Sequence, residues 1–188
     1  MKNPWEDEDG KVIWKTQSQY FVWLRGALRK LWSDYPLRQQ WKKTSLRLVT
    51  PEEKRSKKFH PSTKNVGQCV FCEEWMAGSK LECDHIEESE GCYDFETASK
   101  FLLHCGAQTG ENFQLACKPC HKCKSHQVKK GFATMEEARI DKEAIAWCKD
   151  KTIDHKEYLL QKGYPEKEVS NAKARRTSYT NLLTKESR

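Results

Sequence analysis

The sequence predicts an α+β protein with a small, metal-stapled centre flanked by helices on both sides. Three observations lead there. Two Cys-x2-Cys pairs, Cys69/Cys72 and Cys117/Cys120, bracket the dipeptide Asp84-His85. Apolar residues recur at helical spacing before the first pair and after the second. The chain is also polar, with 37% hydrophobic and 32% charged residues over 188 positions. Such a balance supports small cores and long exposed helices rather than one large core.

Residues 1–17 show no periodic pattern and read as a loose tail. Residues 18–66 read as a basic helical arm and linker. Ser18 is placed to cap a helix whose apolar face is Phe21, Leu24, Leu28 and Leu31. That helix should stop near Ser33 or Asp34, because Pro36 disfavours helix at Tyr35. Pro36 then opens a second short helix through Trp41 to about Leu46. Residues 50–66 read as a linker carrying the cluster Lys54, Arg55, Lys57 and Lys58. Trp5, Trp14, Trp23, Trp32 and Trp41 are spaced nine apart. The residues between them show no self-similarity, and nine helical steps turn the face by ~180°, so the spacing is read as coincidence.

Charge is unevenly spread along the chain. The net +7 divides into −1 over 1–16, +9 over 17–66 (twelve basic, three acidic), −3 over 67–130 and +2 over 131–188. The basic arm, with Arg25, Arg29, Lys30 and the 54–58 cluster, is either a solvated surface or a phosphate-tracking one.

Nine cysteines would suggest disulfides in an exported chain. The start, Met1 to Asp9, is acidic and lacks the apolar segment of a secretory signal. No stretch approaches the ~20 apolar residues that span a bilayer. The expectation is a cytoplasmic protein whose cysteines are metal ligands or buried thiols. Zinc takes four thiolate or imidazole ligands in a tetrahedron, and a Cys-x2-Cys turn places two sulfurs on one ion. Cys69, Cys72, Cys117 and Cys120 therefore read as a structural Zn2+ site. Cys117, Cys120 and Cys123 also form part of an iron–sulfur ligand run. The fourth ligand of such a run is missing at His126-Gln127, and that reading leaves Cys69 and Cys72 without a role. The other five cysteines read as simple thiols.

Between the two pairs, Leu81 to Ile86 reads as a short strand delivering Asp84 and His85 at its end. Asn112 to Ala116 reads as a second strand, and Cys117 to Lys124 starts a helix carrying His121 in its first turn. An inserted helix is expected from Tyr93 to His104. Phosphodiester hydrolysis needs a base to activate water and a cation to neutralise developing charge. A neutral histidine suits the first task near neutral pH, and an Asp or His ligand suits the second.

In this arrangement residues 67–127 resemble the HNH endonuclease family, in the four-cysteine form common in bacteriophages. The residues that carry the resemblance are Cys69/Cys72, Asp84-His85, Asn112 and Cys117-x2-Cys120-His121-x2-Lys124-Ser125. The Tyr20–Pro36 stretch is also similar to a leader helix of small phage HNH proteins. The resemblance implies a small ββα-metal (His-Me finger) core over residues 67–130. It implies His85 as general base, Asp84 and His121 as ligands of a catalytic Mg2+ or Mn2+, and Asn112 as the residue that fixes the loop orienting His85. Lys124, three residues beyond His121, would touch a phosphate. The products would carry a 5′-phosphate and a 3′-hydroxyl. Some relatives have a histidine four residues beyond the metal histidine. Here that position is Ser125, with His126 one step further.

The region 131–188 reads as helical. Thr134 and Glu137 make a capping box before a helix to about Lys149. A short helix over 156–161, ended by Gly163, and a third over 167–183 follow. Short helix, turn and longer helix invite a helix-turn-helix reading in which Lys173, Arg175 and Arg176 face DNA. The whole predicts a metal-dependent endonuclease acting on double-stranded DNA in a host cytoplasm, of homing or general DNA-processing type, with no protein partner implied. Two other readings stay open: a zinc-dependent DNA-binding protein that does not cut, and an RNA-directed binder.

Overall fold

A computed structural model describes residues 2–186 of the chain. The protein is mixed helix and sheet and divides into two compact units, Met1–Lys118 and Pro119–Arg188.

In the first unit the N-terminal segment is ordered rather than a loose tail. Asp7 caps helix α1 (Glu8–Ile13) by accepting from the backbone N–H of Asp9 and Gly10. Trp5 packs against Tyr20 at 5.4 Å and stacks on Phe95 at 6.0 Å. These contacts are long-range, which is why no local pattern announces them. Helix α2 (Gln17–Asp34) follows, with Thr16 rather than Ser18 as its cap. Its inner face is Phe21, Leu24, Leu28 and Trp32, packed on Cys92, Ala98, Phe101 and Cys105. Leu31, expected on that face, is 47% exposed, and the stripe continues to Trp32 instead. Helix α5 (Phe95–Gly106) supplies the opposing wall, opened by a capping box between Asp94 and Thr97.

Helix α3 (Pro36–Thr44) begins at Pro36, whose missing N–H costs nothing in a first turn. Trp41 lies edge-on to Phe113 at 5.7 Å. The five tryptophans show no repeat geometry: Trp14 and Trp23 gather around Tyr20, whereas Trp32 and Trp41 sit against Phe113.

Two small antiparallel sheets complete the unit. One has the order β1 (Arg47–Leu48), β2 (Asn65–Gln68), β3 (Trp75–Ala77). The stretch expected to be a linker therefore contains structure. Thr50 and Glu53 form a capping box that opens helix α4 (Pro51–Arg55). Arg47 grips Glu53 with two hydrogen bonds of 2.8 Å, and that hydrogen bonding holds the Glu53 carboxyl down to about 2. The second sheet pairs β4 (Leu81–His85) with β5 (Phe113–Cys117), in the register Leu81↔Cys117, Asp84↔Gln114 and His85↔Phe113. Gly67 of β2 is where the two sheets approach. A Cβ there would lie 2.7 Å from Leu46, 2.8 Å from Leu81 and 3.0 Å from Leu115.

Helix α6 (Lys118–Lys130) follows β5 without an intervening residue. In the second unit, the capping box of Thr134 and Glu137 opens helix α7 (Met135–Lys149) as expected. Helix α8 (His155–Gln161) is capped by Asp154. The expected single helix over 167–183 is instead a 3-10 turn, Glu166–Val169, and then helix α9 (Ala172–Glu186). Asn171 accounts for the break, since its side chain accepts from the Ala174 N–H and restarts the helix. The core of this unit is Trp147, Leu159 and Val169, with Trp147 stacked on Tyr179 at 4.1 Å and 7°. Among the described residues, no helix is long and apolar enough to cross a membrane.

Candidate metal centre and active site

The first knuckle is built by β2 and the turn after it. The Cys69 N–H donates to the Glu74 carbonyl at 3.1 Å, and the Glu73 N–H donates to the Cys69 carbonyl at 2.9 Å. Glu73 closes the turn in the left-handed region at φ 57°. The second knuckle begins where β5 ends, at Cys117, and reaches Cys120 within the first turn of α6. The four sulfurs of Cys69, Cys72, Cys117 and Cys120 all lie within 4.8 Å of one another. A tetrahedron with Zn–S bonds of about 2.3 Å needs sulfurs about 3.8 Å apart. The cluster is therefore compatible with a zinc ion, and its all-thiol composition suits zinc over hard cations such as magnesium.

Opposing effects act on the Cys69 thiol. Burial pushes it up, but backbone N–H groups of Cys117, Cys72 and Phe71 donate to the sulfur and bring it down to about 7. The Cys117 N–H lies 3.3 Å from that sulfur. A thiol depressed in the folded state stabilises it fully above its ordinary value of about 9, and that contribution is lost as pH falls through about 7. Zinc competes with protons for the thiolates, so zinc retention against a chelator should fall as the pH is lowered. Retention that does not change with pH would contradict this.

The other cysteines behave as simple thiols. Cys83, Cys92, Cys105 and Cys123 are buried and Cys148 is half-buried. Burial pushes Cys83 and Cys105 up to about 11 each, which makes them poor nucleophiles.

Asp84 and His85 end strand β4 and are both buried, at 5% and 8% exposure. Gln114, directly across the ladder from Asp84, donates its side-chain N–H to Asp84 Oδ2 at 2.9 Å and to the His85 carbonyl at 3.2 Å. The His85 ring lies between two others, Trp32 at 3.9 Å and His104 at 3.8 Å. Asn112 closes the far side. Its carbonyl accepts from the Ile86 N–H at 2.9 Å, and its Oδ1 accepts from the Glu87 N–H at 2.8 Å. Its own Nδ2 donates to Gln108 Oε1 at 2.8 Å. The backbone just beyond His85 is thus tied to the start of β5.

Trp32, His104 and Gln114 are the residues that sequence reasoning did not place here. Trp32 and Gln114 carried no motif signal, and His104 entered only as the end of the expected inserted helix. Alternation on β5 was the one available clue to Gln114, since pairing with β4 puts it opposite Asp84.

On α6, His121 directly follows Cys120, and Lys124, expected to touch a phosphate, is buried at 8% exposure. His126 shares a 2.8 Å hydrogen bond with Asp141, both within the second unit, which occupies one of its ring nitrogens. In the basic arm, Arg29, Lys30, Lys54, Arg55, Lys57 and Lys58 are exposed and Arg25 is half-buried. Arg175 donates to the Val169 carbonyl at 3.0 Å, and Arg176 pairs with Asp141 at 2.5 Å. Both arginines have structural contacts within their own unit.

Comparison with family models, curated proteins and solved structures returns no match.

Proposed function

We propose that this chain is a metal-dependent DNA endonuclease of HNH type, with β4, β5 and α6 as its two strands and helix. One observation carries the reading. The Asp84-His85 dipeptide closes a strand paired in register with β5, and Asn112, at the entrance to β5, pins the backbone of residues 86 and 87. That is the support a general base needs if it is to keep one orientation through a reaction.

The chain's own residues divide the work as follows. His85 takes the proton of the attacking water. Trp32 and His104 hold the faces of its ring, so that its remaining freedom is within the plane. Gln114 orients the Asp84 carboxylate through Oδ2. Asp84 and His121 are the proposed ligands of a divalent ion, Mg2+ or Mn2+. When bound, that ion supplies charge neutralisation at the phosphate and the leaving oxygen. The four-cysteine cluster holds a zinc ion that stiffens the entry to β3 and the exit of β5. Lys54, Arg55, Lys57 and Lys58, exposed around the end of α4, attract the substrate by charge. By the same reading the products carry a 5′-phosphate and a 3′-hydroxyl, and the gene is phage-borne.

Supercoiled plasmid incubated with the purified protein should be nicked or linearised with Mg2+ or Mn2+, and should stay intact with EDTA. Intact plasmid under every divalent ion, combined with retained DNA binding, would instead favour a non-catalytic zinc-dependent DNA-binding protein.

A further inference from the structure

A cleft of about 520 Å3 opens on the first unit between α3, the segment leading into β2, and the turn after β3. Its lining carries three lysines, Lys42, Lys43 and Lys64, and three hydroxyls, Ser62, Thr63 and Ser79, and no acidic residue. The side chains come from three separate stretches of chain, so no single run of sequence reveals the concavity. Leu46 forms its apolar floor. Gly78 lets the backbone descend onto that floor, since a Cβ there would lie 2.6 Å from Leu46.

The lysines are not equivalent. Lys42 Nζ donates to the Leu81 carbonyl at 2.6 Å and ties α3 to the first residue of β4. Lys43 and Lys64 are exposed, with no carboxylate in the lining to neutralise them. A concave surface of one charge concentrates counter-ions, and hydroxyl donors beside lysines are the groups that proteins use against phosphate oxygens. The lining has no aromatic side chain, which leaves it without a stacking platform for bases or an anchor for a protein partner.

Position ties the cleft to the candidate active site. Leu81, held by Lys42, opens β4, and His85 ends it four residues on. At strand rise this is ~13 Å.

We propose that this cleft holds the phosphodiester backbone of the DNA substrate to one side of the scissile phosphate, with Lys43 and Lys64 as its charged contacts and Ser62, Thr63 and Ser79 as neutral donors. The proposal rests on the nuclease reading for the location of the scissile phosphate, and adds a grip separate from the 54–58 cluster.

The test is equilibrium binding of a blunt 30-base-pair duplex, measured across a salt series in EDTA. The full-length protein is compared with Lys43→Ala/Lys64→Ala and with Lys11→Ala/Lys15→Ala, which removes two lysines outside the cleft. Lys42 is left in place because it holds Leu81. Each phosphate contact contributes about 0.9 to the slope of log K against log salt. The cleft variant should lose about 1.8 from that slope, while the control keeps the wild-type slope. An unchanged slope in the cleft variant, or an equal loss in the control, overturns the proposal. A cleft that shows chemical-shift changes with inorganic phosphate while the DNA slope stays at wild type is a free-phosphate site, and the proposal also fails. Binding is read without a divalent ion, so a protein that never cuts DNA can still pass this test. One that cuts plasmid with an unaltered slope fails this inference alone.

Discussion

Changing Cys69 to Ser should release zinc and unfold the centre of the first unit. Cys69 is fully buried, and its sulfur accepts the N–H of Cys117 while standing within 4.8 Å of three other thiols. Serine is a poor zinc ligand, and a structural zinc contributes ~10 kcal/mol or more of binding energy that is also folding energy. Whole domains are stable by only ~5–15 kcal/mol. The loss therefore approaches the entire margin, and a small polar unit with two short sheets has little apolar burial in reserve. Zinc content by metal analysis and thermal unfolding by circular dichroism should fall together. Cys72→Ser, at an exposed position of the same cluster, should lose zinc as well. Cys148→Ser, outside the cluster, should keep it. A Cys69→Ser protein with full zinc and a wild-type melt would remove the cluster from the account of this fold.

His85→Ala should abolish plasmid cleavage while leaving zinc in place. Removing a general base typically costs 10²–10⁴-fold in rate. The side chain lies between Trp32 and His104, so its truncation also leaves a gap between two rings. That gap affects local packing, and the four-cysteine cluster provides an independent reading of whether the centre still folds. His85→Asn, which keeps a polar side chain in the gap, separates the two effects. It should melt closer to wild type and still fail to cut. Wild-type cleavage by either variant would sink the assignment of His85 as base.

The cysteine pairs, the two strands of the second sheet and the helix after them were legible because each is a local pattern. A Cys-x2-Cys turn places two sulfurs together through a few backbone dihedrals, and the four cysteines converge as their spacing required. The expected role of Asn112 came from the family resemblance and not from a local pattern; the structure puts its side chain on the Glu87 N–H. The stretch around α4 was misread because its charge dominates its composition. The Thr50–Glu53 capping box was there to be seen, but the Arg47–Glu53 pair that supports it forms only once the chain has turned. The ordered N-terminus was invisible locally, since Trp5 is fastened by Tyr20 and Phe95.

By itself, the sequence determined that four cysteines come together in a cluster compatible with a zinc ion, because each Cys-x2-Cys turn follows from spacing along the backbone. Only the tertiary structure decided what surrounds the histidine. Trp32 comes from α2, His104 from α5 and Gln114 from β5, brought in by packing of α2 on α5 and by strand register. The lysine cleft arises likewise from three stretches that share a surface only after folding. Contacts of that kind depend on the summed burial of many side chains rather than on any one interval, and so no motif encodes them.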